Sequence, residues 1–104
     1  MRMKEIPKEN RPRERFKQKG VESLSNSELL ALLLQTGTKK ENVVDMSHRL
    51  LSLYSLDTLS ECSLPELKSI PGIGDSKAMQ IMALSELSER MMGCRYQVLV
   101  RKGL

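Results

Sequence analysis

No apolar run in the chain approaches the roughly 18 residues of a membrane span. Its charged N-terminus leads into no apolar segment of the secretion-signal kind. Both absences predict a soluble, cytoplasmic protein with no membrane partner. Histidine occurs once, as His48. A transition-metal site would therefore lack most of its usual ligands, so no catalytic metal or other cofactor is expected, and His48 is assigned to a helix surface. The two cysteines, Cys62 and Cys94, have no metal-ligand spacing and are read as ordinary thiols of a reducing compartment. Low-complexity segments are lacking, and so is any convincing strand pattern. A chain of 104 residues holds one core but not a binding domain plus a complete enzyme.

Positive charge is present but unevenly placed. The formal net charge is +4, yet residues 1–20 alone carry eight basic side chains against three acidic ones. Residues 21–90 carry six basic and ten acidic side chains, a net −4. The basic arm has two readings, a solvated charged helix or a nucleic-acid contact, and in the second Arg11, Arg13 and Arg15 are the candidate phosphate partners.

Explicit helix starts follow one another along the chain. Asn10 is placed to cap a short helix carrying Pro12 in its first turn, with Gly20 ending it. Ser25-Asn26-Ser27-Glu28 is a capping box. The run Leu29, Leu30, Leu32, Leu33, Leu34 behind it is apolar on nearly every side, which predicts a central helix enclosed by its neighbours. Thr36-Gly37-Thr38 supplies the stop. The next helix starts at Asn42, with an apolar face of Val43, Met46, Leu50, Leu51 and Tyr54. A short helix over 56–61 comes next, and Ser63-Leu64-Pro65-Glu66 is a second capping box. Ala78, Ile81, Met82, Ala83, Leu87 and Met91 describe a longer amphipathic helix after Gly74, with Gly93 as its expected end. Residues 95–104 have no helical period. The segments 26–54 and 64–91 look like related copies of one unit. The expected fold is all-α: a compact bundle of five or six short helices with tandem hairpin units. Its core should contain Leu30, Leu33, Leu34, Leu50, Leu67, Ile70, Ile73, Ala78 and Ile81. The expected division is an arm with a short helix over 1–20, the helical domain over 21–93, and a linker over 94–104.

The stretch Leu67 to Ile81 contains Pro71-Gly72-Ile73-Gly74-Asp75-Ser76-Lys77. Two glycines flanking one apolar residue allow a tight interhelical turn and a close approach of a ligand to the main chain. Ile73 anchors the turn to the core. Amides of the turn and of the following helix then favour an anion, and Lys77 adds a charge one helical turn away. The anion expected for such a site is a DNA phosphate, contacted without reading sequence. Lys39 and Lys40 beside Thr38 read equally as a second phosphate contact or as a solvated turn. Met79, Met82, Met91 and Met92 could line a flexible partner groove, but helical spacing favours core filling.

Leu67, Ile70, Gly72, Ile73, Gly74, Ala78 and Ile81 resemble the helix-hairpin-helix motif of DNA repair and recombination proteins. A wider resemblance rests on Ile6-Pro7, Arg11-Pro12-Arg13-Glu14-Arg15, Leu24-Ser25, Glu28 to Leu34, Thr36-Gly37-Thr38 and the hairpin. Together these look like the N-terminal part of the RadC family, named for DNA repair. That resemblance implies a DNA partner and a second partner, a metalloprotease-like C-terminal domain of the JAB/MPN type with a His-x-His metal site, which residues 1–104 do not include. The motif also occurs in base-excision glycosylases, whose bifunctional members place a nucleophilic lysine two residues after the second glycine. Here that position is Ser76, Lys77 comes one later, and no aspartate follows Asp75, so no Schiff-base chemistry is expected. The sequence thus predicts a non-enzymatic DNA-binding module contacting phosphates through residues 70–77. The alternative is a protein-interaction module that positions the C-terminal domain, which the net −4 of the central region favours.

Overall fold

A computed structural model describes the backbone of residues 11–101 and the side chains of residues 11–93. Six α-helices occur among them: α1 (Pro12–Lys19), α2 (Asn26–Leu34), α3 (Val43–Leu53), α4 (Leu56–Glu61), α5 (Leu64–Lys68) and α6 (Asp75–Arg101), with a 3₁₀ turn at Val21–Ser23. No strand is present among the described residues, so the all-α expectation holds. No helix among them is long and apolar enough to cross a membrane. The chain divides into two compact units between Leu59 and Ser60.

In the first unit, local chemistry sets each helix start. Ser25 Oγ accepts the Glu28 amide (3.2 Å) while Glu28 Oε1 accepts the Ser25 amide (3.1 Å), closing the expected capping box at the head of α2. Asn42 caps α3 by accepting the Asp45 amide at 2.8 Å. Pro12 opens α1 as expected, but the N-cap is Arg11, which makes no side-chain cap bond; Asn10 lies outside the described residues. The core gathers Leu24, Leu30, Ala31, Leu34, Val43, Met46, Leu50 and Leu59. Ser47, fully buried among them, satisfies its hydroxyl by donating to the Val43 carbonyl at 2.7 Å, so its burial carries no unpaired-donor cost.

Two expectations for α2 fail. Leu33 is 49% exposed, and Leu29 and Leu32 are only half-buried; a uniformly leucine helix does not say which of its faces meets the core. Nor does Gly37 stop the helix. Gln35 is the C-cap, at φ 68° and ψ −45°, the centre of a γ-turn in which the Thr36 amide donates to the Leu34 carbonyl at 2.8 Å, a strained conformation for a non-glycine residue. Gly37 answers to crowding instead. A Cβ there would meet the Glu41 carbonyl oxygen and lie 2.7 Å from Asn42 C and 2.8 Å from Val43 N, so this loop folds back onto the start of α3 only around a glycine.

In the second unit, Ser63 and Glu66 form the other capping box (3.3 and 3.1 Å), with Pro65 in the first turn of α5. Cys62, Leu67, Ile70, Ile73, Ala78 and Ile81 are buried. Gly93 does not end α6, which continues to Arg101, into the segment that lacks helical period. One interior glycine costs about 1 kcal/mol against alanine, too little to stop a helix with no proline near it. The four methionines are not core: Met79, Met82, Met91 and Met92 are all exposed. From Glu86 to Gly93 every residue of α6 is exposed, so apolar spacing there reflects no packing among the described residues.

Candidate nucleic-acid interface

The hairpin between α5 and α6 is built on one tight turn. The Ile73 amide donates to the Ile70 carbonyl at 3.0 Å, Pro71 holds the second position, and Gly72 the third at φ 89°, the signature of a type II turn. Ile70 and Ile73 are each 4% exposed, so both ends of the turn are pinned in the core and its Pro71-Gly72 tip is left outside. Ile73 acts as an anchor: its side chain is buried and its amide is used inside the turn. The chain then enters α6 through Gly74, whose carbonyl accepts the Ala78 amide at 3.0 Å, the first bond of the helix. An added Cβ at Gly74 meets nothing within 4 Å, which leaves the backbone there open to close approach.

Charge around the turn is mixed. Lys77 is half-buried, and Ser76 is exposed beside it. Lys68, which lies outside the apolar and glycine positions of the motif, pairs with Asp75 at 2.7 Å. Both partners are well exposed, so the pair contributes about 0–1 kcal/mol to stability, but it draws the Asp75 carboxylate to a cation at the start of α6. Cys62 is buried; burial, then the carboxylates of Glu66 and Glu61, push its thiol up, which suppresses the reactive thiolate.

The remaining expected contacts lie in the first unit. Arg15 donates to Glu28 Oε2 at 2.6 Å and to the Ser23 carbonyl at 3.0 Å, tying α1 to the capping box of α2. Arg11 is half-buried at the N-cap of α1, and Arg13 is exposed on its first turn. Thr38, Lys39 and Lys40 are exposed in the loop before α3, where Thr38 bonds to Glu41 (2.8 Å) and its hydroxyl accepts the Lys40 amide (3.2 Å). That loop has neither the Gly-apolar-Gly pattern nor the type II turn, so it is not a copy of the hairpin. His48 is exposed and its Nδ1 shares a 3.0 Å hydrogen bond with Ser27 Oγ. With no second histidine in the chain, these residues do not fit a His-x-His metal site.

Comparison with known proteins places this arrangement. The family described as UPF0758 N-terminal matches residues 3–79. The chain belongs to that family. The match runs from the basic arm through the hairpin and ends inside α6. UPF0758 relatives include a protein of Bacillus licheniformis, 51% identical over 104 residues, covering 97% of this chain and 46% of the relative. One from Chlorobium chlorochromatii is 48% identical over 98 residues, 94% of this chain and 44% of the relative. Another, from Methanosarcina barkeri, is 50% identical over 91 residues, 88% of this chain and 40% of the relative. The chain thus spans less than half the length of these UPF0758 proteins. No solved structure matches it.

Proposed function

We propose that this chain is a DNA-binding module that grips the phosphate backbone at the 70–77 hairpin without reading sequence, and that it performs no chemistry of its own. The observation that carries this reading is the turn whose ends, Ile70 and Ile73, are buried while Gly72 and Gly74 are exposed and a Cβ at Gly74 would meet nothing within 4 Å, directly ahead of a 27-residue helix. Backbone amides at such a place suit a phosphate, and contacts of that kind position a duplex without specifying sequence. The fit of Leu67 to Ile81 to the helix-hairpin-helix pattern, and the resemblance to RadC, support the same reading and its link to DNA repair. By that resemblance the full-length protein adds a JAB/MPN domain, with which this module would work.

A second reading, a module that positions a protein partner, is favoured by one observation: Met79, Leu87, Met91 and Met92 on α6 are 56–63% exposed. Lys77→Gln separates the two, because it keeps most of a half-buried stem while removing the charge. On the DNA reading it weakens binding to unrelated duplexes equally and makes the slope of log affinity against log salt shallower by about 0.9, one phosphate's worth. Unchanged affinity and slope in the folded variant would favour the partner module.

A further inference from the structure

A groove of about 770 Å³ opens between α1 and the end of α2 in the first unit. Among the described residues its charged lining is Arg11, Arg13 and Lys17 against Glu14, over a floor that includes Pro12 and Ala31. The third arginine of this helix, Arg15, is committed to Glu28 and the Ser23 carbonyl, so holding α1 in place is assigned to a different residue. Arg13 and Lys17 are both exposed and form no ion pair with a described residue. They stand four residues apart on one face of α1, where like charges repel. Nothing in the packing of the unit uses them.

We propose that this groove is a second binding site for the phosphodiester backbone of nucleic acid, separate from the hairpin and independent of it. Two uncommitted cations one helical turn apart on one face of α1, with Arg11 at its N-cap, match a ligand that carries successive negative charges along a line. Arginine beside lysine suits phosphate oxygens, the guanidinium as a fork and the ammonium as a point charge. The apolar floor gives sugar carbons a surface between the charged contacts. The charged lining of the groove lies in the segment 1–20, which carries an excess of cations, whereas residues 21–90 are net negative.

The test is the whole chain carrying both Arg13→Glu and Lys17→Glu, titrated with a labelled mixed-sequence duplex over a range of salt. The expected result is unchanged helicity and a log–log slope shallower by about 1.8, the counterions of two phosphates. Should the reversed charges unfold α1, Arg13→Gln with Lys17→Gln decides the matter, with the same loss of slope expected. Combining either pair with Lys77→Gln should add the two losses. A folded variant with the parent slope overturns the proposal whatever Lys77 does. So does poly-glutamate of matched charge binding the parent as tightly as the duplex, which would give the groove to an acidic protein partner. If Lys77→Gln alone leaves the slope unchanged while the groove variant lowers it, the hairpin reading fails and this one stands.

Discussion

Three glycines of this chain illustrate three different demands on one residue. At Gly37 the demand is space, because the backbone of residues 41–43 occupies the place of a Cβ. Gly37→Ala should therefore cost about 1–3 kcal/mol, the usual range for overpacking, read as a lowered denaturation midpoint. At Gly72 the demand is conformation, φ 89°, and alanine there should cost roughly 1–2 kcal/mol. Gly74 meets neither demand. Gly74→Ala should lower stability by less than about 1 kcal/mol, the scale of an N-cap change, while weakening DNA binding by placing a methyl group on the open backbone. Equal losses of stability at Gly37 and Gly74 would contradict this division. Glu28 belongs to the same scale. Burial alone would raise its carboxyl, but the Ser25 amide and hydroxyl and the Arg15 guanidinium hold it below the usual carboxylate range. A depressed carboxyl stabilises the fold fully above its unfolded value and loses that contribution as pH falls through the folded one. Glu28→Gln should accordingly flatten the acid limb of the stability curve below the ordinary carboxylate range; an unaltered limb would remove Glu28 from the account of acid sensitivity.

Helix starts are specified within four residues, and this decides which parts of the fold the sequence makes legible. Ser25 with Glu28, Asn42 with Asp45 and Ser63 with Glu66 all cap helices where their spacing predicts. Ser63→Ala should destabilise the protein by about 1 kcal/mol, visible in urea denaturation, and Glu66→Gln by less, since glutamine can still complete the box. A loss from Ser63→Ala within error of zero would show that the box at α5 contributes nothing. Legibility ends where distant partners decide. The all-leucine α2 has no polar face to orient it, so Leu33 is placed by what surrounds the helix. Apolar spacing on α6 predicts burial for Met79 and Met91, but no described element covers them. Arg15 reads as one more cation of a basic arm until the fold brings it to Glu28, thirteen residues away. Within the candidate site, the anchor residues Ile70 and Ile73 and the glycine turn were legible because a local motif contains them. Lys68 and the α1–α2 groove were not, since each depends on which side chains the packing leaves outside.

At the scale of the whole molecule, charge separates along the chain. Cations concentrate in residues 1–20 and carboxylates outnumber them across 21–90, so the net charge of +4 is not spread evenly over the chain. What decides is the local field at a few places, the hairpin of the second unit and the groove of the first, and a polyanion held there must release counterions. The most direct measurement is a salt titration of the whole chain with two labelled duplexes of equal length and unrelated sequence, followed by fluorescence anisotropy. The expected result is the same affinity for both duplexes at each salt concentration, falling along a line of log affinity against log salt whose slope corresponds to at least three phosphates, about −2.7 or steeper. No salt-dependent binding at low ionic strength, or a strong preference for one sequence, would contradict the reading of this chain as a backbone-gripping module.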